Sequence, residues 1–95
     1  MATRDDVIGM LKNIADPELG LDIWTLGLVY GVDIQGSHLK ITMTFTTPMC
    51  PYGPMLLQEV REAGVNLGFD SVEVEITFEP LWKLTEEVKM LLGIA

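Results

Sequence analysis

Apolar and polar residues alternate along three segments of the chain, which predicts three β-strands. The clearest alternation covers residues 39–45, where every second residue is apolar. Similar alternation covers residues 28–35 and 72–79, and Gln-Gly-Ser at 35–37 predicts a hairpin between the first two strands. Because each strand is apolar on one face only, we expect helices to cover that face of a single sheet.

Helical spacing of apolar residues predicts three helices. The first begins with Thr3 as its N-cap and ends before Pro17, the second begins near Pro54, and the third begins near Thr85 with Leu91 facing inward. The order is therefore α-β-β-α-β-α. We expect one two-layer α+β domain over residues 1–95, with a small mixed three-stranded sheet and its helices mainly on one face.

The predicted topology brings three distant segments to one edge of the sheet. The second and third strands are joined through a helix, so a parallel relation with a right-handed crossover is expected. Both strands then end where the first strand begins, and open α/β sheets commonly bind ligands at such an edge. The candidate site residues at this edge are Asp16, Glu18, Asp22, Thr46, Thr47, Pro48, Cys50, Glu79 and Trp82.

A purely structural interpretation of these residues stays open. In that interpretation Asp22 and Thr47 only cap backbone amides around a loop, and Trp24 and Trp82, both at this edge, only cover the end of the sheet. The hydroxyl groups and the tryptophans would then contribute nothing to chemistry.

Cys50 is the one cysteine, and it lies between the clearest strand and a helix. The first amides of a helix have no intrahelical partner and the macrodipole favours an anion there, so we expect a thiol at this position to be more ionised than a free one. The thiolate is both the nucleophile and the metal ligand. The alternative is that Cys50 is a small buried apolar residue, as most free cysteines are.

Composition excludes several kinds of partner. Fourteen acidic residues stand against six basic ones, a formal net charge of −8 at pH 7. Lys and Arg do not cluster as a phosphate backbone requires, so no nucleic-acid partner is expected. No run of about 18 apolar residues occurs, so no membrane span is expected. A single cysteine excludes an internal disulfide framework and indicates a reducing compartment, so we expect a cytoplasmic protein.

Four motifs together resemble the small iron–sulfur assembly domain. They are Asp-Pro-Glu-Leu-Gly-Leu-Asp-Ile at 16–23, Leu-Gly-Leu-Val-Tyr at 26–30, Met-Thr-Phe-Thr-Thr-Pro-Met-Cys-Pro at 43–51 and Thr-Phe-Glu-Pro-Leu-Trp at 77–82. That family includes the SufT proteins, the PaaD proteins of phenylacetate breakdown, cytosolic iron–sulfur targeting factors of eukaryotes and the N-terminal domain of some Mrp-type ATPases. The motifs occur in the family's order and the resemblance covers nearly the whole chain, so it is specific.

The resemblance implies a role in maturing iron–sulfur proteins, with Cys50 as the reactive or ligating thiol. It also implies that Asp16 with Glu18, and Asp22, are the family's acidic residues. Two departures are visible. Leu81 stands where the family often has a second proline, and the cysteine-rich tail of PaaD-type members is missing, so no structural zinc site of that kind is expected.

A cluster normally takes four thiolates, so a monomer with one cysteine is not expected to hold one stably. Three roles stay open. In the first, Cys50 supplies one ligand to a transient iron or iron–sulfur cluster shared with a partner or with a second subunit of a homodimer. In the second, Cys50 binds iron together with a carboxylate such as Asp22. In the third, the domain is an adaptor that docks a cluster carrier to recipient proteins without binding iron. We favour an assembly or transfer role using Cys50, with iron–sulfur assembly or recipient proteins as partners.

A cysteine-dependent enzyme is the less favoured function. Such an enzyme needs a base within hydrogen-bond reach of the thiol, usually a histidine. His38 is the one histidine, and the predicted topology puts it beside the hairpin turn, at the opposite edge from Cys50. Catalysis is therefore not expected.

Overall fold

The computed structural model describes residues 2–17, 19–46, 51–79, 82, 86–91 and 93. The helices and strands follow the predicted order: α1 Arg4–Leu11, β1 Val29–Gln35, β2 His38–Met43, α2 Gly53–Asn66, β3 Ser71–Ile76 and α3 Glu86–Leu91. The strands form one sheet in the order β1-β2-β3, with β2 antiparallel to β1 and parallel to β3. The α+β class, the mixed sheet and the parallel crossover are confirmed.

The N-terminus of α1 is held by a capping box. The Thr3 hydroxyl accepts the backbone N–H of Asp6 at 3.2 Å, and the Asp6 carboxylate accepts the N–H of Thr3 at 2.9 Å. These bonds to Thr3 lower the pKa of Asp6. The helix ends at Leu11, well before the boundary that Pro17 imposes, and Ile14 still lies in the buried core.

The two faces of the sheet differ in polarity, as the alternation predicts. Leu39, Ile41 and Met43 of β2 point into the core and are fully buried. The other face carries an ion-pair ladder in which the Lys40 ammonium lies 3.1 Å from Glu75 and 3.8 Å from Glu73. The hydrogen bond to Glu75 and then the charges of the two glutamates raise the pKa of Lys40.

A β-bulge near the start of β1 changes which side chains face the core. Alternation alone puts Tyr30 on the same face as Val32. In the structure Val29 pairs with Met43 and Gly31 pairs with Thr42, so Tyr30 is the extra residue and no residue of β2 lies directly opposite it in the register. The bulge places Val29 opposite Met43, whose side chain lies in the core. Val29 accordingly packs against the core.

The third helix departs from the prediction. Leu91 was expected to face inward, but it is 57% exposed and its neighbour Met90 is 78% exposed. The predicted start of this helix at Thr85 lies outside the described residues.

Within the described part of the chain, every helix is too short or too polar to cross a membrane.

α2 packs closely on the sheet at Gly64. A Cβ added there would lie 2.9 Å from Val72 Cγ2, which is closer than carbon atoms pack, and 3.2 Å from Leu39 Cδ2, which is a tight contact. Glycine therefore sets the distance between α2 and the sheet. Leu56 and Val60 on the same helix are fully buried.

We expect Gly64→Ala to lower the free energy of unfolding by about 1–3 kcal/mol, because the methyl group overpacks the contact with Val72. Gly9→Ala is the matched control, since Gly9 lies in α1 with no atom within 4 Å of an added Cβ. That change should raise stability by up to about 1 kcal/mol, because alanine favours the helix. Urea unfolding followed by circular dichroism measures both. Equal effects of the two substitutions would contradict the packing account.

Candidate functional site

Asp16 organises the loop between α1 and β1 from inside. Its backbone N–H donates to the Leu21 carbonyl at 2.8 Å, and its Oδ1 accepts the N–H of Leu19 at 3.1 Å. An isolated antiparallel bridge between Ala15 and Asp22 closes the same loop. Asp16 is only 1% exposed, so this carboxylate is not presented to solvent.

Asp22 caps the turn that leads into β1. Its Oδ2 accepts the backbone N–H of Thr25 at 2.8 Å, and the turn closes at Gly27, whose φ of +75° favours glycine. This bond matches the capping interpretation of Asp22. In contrast to Asp16, the side chain is only half-buried, so the carboxylate is also open to a ligand from outside.

Trp82 joins the segment after β3 to this turn. Its indole Nε1–H donates to the Leu26 carbonyl at 2.6 Å, and the same nitrogen lies 3.9 Å from the position of a Cβ on Gly27. The half-buried ring also packs against the core. Two segments that are more than fifty residues apart in sequence are thus held together at this edge.

Phe45 stands where the end of β2 meets two other elements. Its ring centroid lies 6.4 Å from that of Phe78 at a tilt of 57°, and its ring atoms contact Gly53 at the start of α2. The sheet continues just beneath: the N–H of Thr44 donates to Leu28 at 2.8 Å, and the N–H of Thr77 donates to Met43 at 3.0 Å. Phe45, Phe78 and Gly53 therefore form one apolar joint, which we call the Phe45 joint.

Thr46 and Glu79 lie next to the Phe45 joint. Among the described residues, no group hydrogen-bonds to the buried Thr46 Oγ1. Glu79 is exposed, and its backbone N–H donates to Thr77 Oγ1 at 3.2 Å. The remaining candidates lie outside the described residues: Glu18, Thr47, Pro48 and Cys50.

Among the described residues, no side chain caps the first amides of α2. The helix begins at Gly53, three residues after Cys50, and its first turn contains no acidic residue. Tyr52 and Met55 beside it are exposed by 42% and 46%. The side chains at this end of the helix are therefore uncharged and partly apolar, although the whole chain has a net charge of −8.

No three His, Cys, Asp or Glu side chains converge as a metal site within the part of the chain that the structure describes. His38 lies at the hairpin end of β2, where its Nδ1 is 2.9 Å from Ser71 Oγ. The length of β2 separates this histidine from Thr46.

Sequence reasoning did not single out the Phe45 joint or the Leu26 carbonyl. Phe45 and Phe78 each come last among the apolar positions of a strand pattern, and Gly53 stands directly before Pro54. These positions in the sequence were the only signal that could have indicated a contact among the three residues. A backbone carbonyl such as that of Leu26 leaves no signal in a sequence.

We expect Trp82→Phe to destabilise the protein by about 1 kcal/mol, because the Leu26 carbonyl loses its indole donor. Trp24→Phe is the control, since it makes the same change in a half-buried tryptophan that has no indole hydrogen bond among the described residues. Circular dichroism in urea measures both variants without relying on tryptophan fluorescence. A larger loss for Trp24→Phe would contradict the assigned role of the bond.

Comparison with known proteins assigns the chain to a family. The sequence model of the family described as "Iron-sulfur cluster assembly protein" matches residues 4–76 of this chain. The chain is 41% identical to the Fe-S protein maturation auxiliary factor YitW of Bacillus subtilis, over 98% of this chain and 96% of that protein. It is 34% identical to an iron-sulfur cluster carrier protein of Synechocystis, over 83% of this chain but only 23% of that longer protein.

A solved structure agrees with the sequence comparisons. A conserved hypothetical protein of Thermotoga maritima superposes with a TM-score of 0.83 at 43% identity, over 98% of this chain and 96% of that one. This similarity and the family match extend across the sheet, α1 and α2. The chain therefore belongs to the iron–sulfur cluster assembly protein family.

Proposed function

We propose that this protein is a maturation or transfer factor for iron–sulfur proteins, in which the Cys50 thiolate is a transient ligand of iron or of a cluster. The observation that carries the proposal is the family match over residues 4–76, together with relatives named maturation auxiliary factor and cluster carrier. The meeting of the Trp82, Leu26 and Phe45 segments at one sheet edge supports this edge as the working surface.

The start of α2 supports an ionised thiol in this role. The unpaired amides and the dipole of a helix N-terminus stabilise an anion nearby. Within the described residues no side chain caps these amides, and the first turn of α2 contains no acidic residue. We therefore expect the pKa of Cys50 to lie below the ordinary value of about 8.5. A reducing compartment such as the cytoplasm keeps this thiol available.

The cluster is the cargo of this protein and not its resident cofactor. A [2Fe–2S] or [4Fe–4S] cluster normally takes four thiolates, and each chain supplies one. Further ligands come from a partner protein or from a second copy of the chain. The half-buried Asp22 carboxylate accepts the Thr25 N–H with only one of its oxygens, so it is the described group best suited to assist iron binding.

An adaptor role is the second candidate function. It is favoured by the exposed, uncharged side chains of Tyr52 and Met55, which offer a protein contact directly beside the proposed working surface. In this role the domain docks a cluster carrier to a recipient protein, and iron never contacts Cys50. The partners are the same class of protein in both cases.

A histidine-activated thiol enzyme is not proposed. It would require His38 to act as the base for Cys50. His38 instead contacts Ser71 and lies 3.9 Å from Glu73, on the polar face of the sheet at the hairpin end.

Anaerobic reconstitution with iron and sulfide tests the ligand role directly. We expect wild type to acquire a cluster absorption band at less than one cluster per chain, and Cys50→Ser to lose it, because serine is a poor ligand for a soft iron–sulfur core. His38→Asn is the control and should retain the band. Equal iron in wild type and Cys50→Ser, or no iron in either, would contradict the ligand role.

Cellular complementation separates the adaptor from the ligand. In cells lacking this protein, the activity of a cluster-dependent dehydratase is measured with each variant. If the ligand role holds, Cys50→Ser abolishes rescue. If the adaptor role holds, Cys50→Ser rescues and Met55→Glu does not, because a charge is placed in the apolar contact. Val65→Glu is the matched control, since Val65 is 53% exposed near the other end of α2.

A further inference from the structure

We propose that the outer edge of β3 is a docking site for an extended segment of another protein, in which basic and apolar residues alternate. The segment adds a fourth strand to the sheet beside β3. In this mode of recognition main-chain hydrogen bonds supply affinity and alternate side chains supply specificity. Neither the site nor its occupant depends on the proposed role of Cys50.

β3 lies at one edge of the sheet and presents a row of backbone groups there. The N–H groups of Ser71 and Thr77 donate at 3.3 and 3.0 Å to the carbonyls of Ser37 and Met43, at the two ends of β2. The backbone groups of a strand turn to its two neighbours alternately, with a period of two residues. The groups that point away from β2 therefore belong to Val72, Val74 and Ile76. No described strand pairs with them.

The two edges of the sheet differ in how well they resist an added strand. Native proteins blunt an edge strand with a bulge, a proline or charged side chains. β1, the other edge strand, carries the bulge at Tyr30. β3 contains neither a bulge nor a proline, and its six residues pair with β2 in an unbroken register. An added strand can therefore follow the β3 edge over its whole length.

The apolar face of the sheet is incompletely covered at this edge. The inward side chains of β2 (Leu39, Ile41 and Met43) are fully buried, whereas those of β3 are only half-buried. Apolar side chains of an added strand would lie beside the half-buried ones and remove more of their surface from water. The added strand should therefore be apolar at every second residue.

The polar face is acidic at the same edge. The side chains of Glu73 and Glu75 are 55% and 54% exposed, and both share the Lys40 ammonium, so one cation faces two carboxylates. His38 Nε2 lies 3.9 Å from Glu73, and exposed Asp70 precedes the strand. Opposite charges on neighbouring strands stabilise a sheet. Lysine or arginine should therefore occupy the positions of the added strand that lie beside the two glutamates.

The same charges argue against a second copy of this chain as the occupant. In an antiparallel pair of two β3 strands, the acidic faces of both copies would lie on one side of the joined sheet and their glutamates would be neighbours. Like charges on neighbouring strands are destabilising, and each chain has a net charge of −8. A basic segment removes this repulsion.

Amide hydrogen exchange followed by NMR tests the open edge in the protein alone. We expect the outward amides of Val72, Val74 and Ile76 to exchange about tenfold faster than those of Glu73 and Glu75, which face β2. Equal exchange of the two sets would overturn the proposal. If the outward amides became protected as the protein concentration rose, the occupant would be a second copy, which would also overturn it.

The occupant is tested with an end-blocked peptide of about eight residues that alternates lysine and valine. It is used at a concentration where the peptide alone gives no β-sheet circular dichroism signal. We expect it to slow exchange of the three outward amides of β3 about tenfold and to leave the amides of β1 unchanged. The same peptide with glutamate in place of lysine is the control and should not bind. Absence of protection by the lysine peptide, or equal protection by both peptides, would overturn the proposal.

Two further peptides separate strand addition from simple charge attraction. One carries N-methyl groups on its valines and the other on its lysines, so each lacks one of the two alternating sets of backbone N–H donors. Only one set faces β3 in an added strand, and therefore only one of the two peptides should lose binding. Equal behaviour of the two methylated peptides would overturn the proposal.

Glu75→Gln tests the charge complementarity from the side of the protein. We expect it to weaken binding of the lysine peptide about threefold, because one cross-strand charge pair is lost. Asp33→Asn is the matched control, since exposed Asp33 lies opposite Lys40 but on β1, at the other edge of the sheet. It should leave the affinity unchanged. An equal loss in both variants would show attraction to the net charge alone and overturn the proposal.

Discussion

Parallel pairing of β2 with β3 is the constraint on which the rest of the structure depends. Six consecutive residue pairs, from His38 with Ser71 to Met43 with Ile76, hold the two strands in register. Because the strands run the same way, the chain must return across the sheet, and α2 makes that return. The loop before α2 and the segment after β3 must therefore lie at the same edge.

Close packing turns this topology into one geometry. Gly64 lets α2 approach Leu39 and Val72 near one end of the helix, and Gly53 lets it approach Phe45 at the other. Both glycines are required by a neighbouring side chain. Gly27 differs, because its φ of +75° is a backbone requirement of the turn under Trp82.

Two of the polar candidates at this edge have structural partners in addition to any chemical role. Asp16 is buried and bonds to Leu19, and Asp22 bonds to Thr25. Such bonds hold the edge in shape when no ligand is present, which a transfer site needs if its cargo is to leave again. A protein with few free ligands binds a cluster weakly by itself and depends on its partner, as the proposed function requires.

Local patterns determined the elements and their order, because a strand's alternation and a helix's spacing are properties of neighbouring residues. The hairpin, the capping box at Thr3 and the family motifs are local in the same sense. Only the tertiary structure decided the bulge at Tyr30, the exposure of Leu91, the bond from Trp82 to Leu26 and the Phe45 joint. Each of these depends on the distance between segments that are far apart along the chain, and that distance is set by the packing of the whole core.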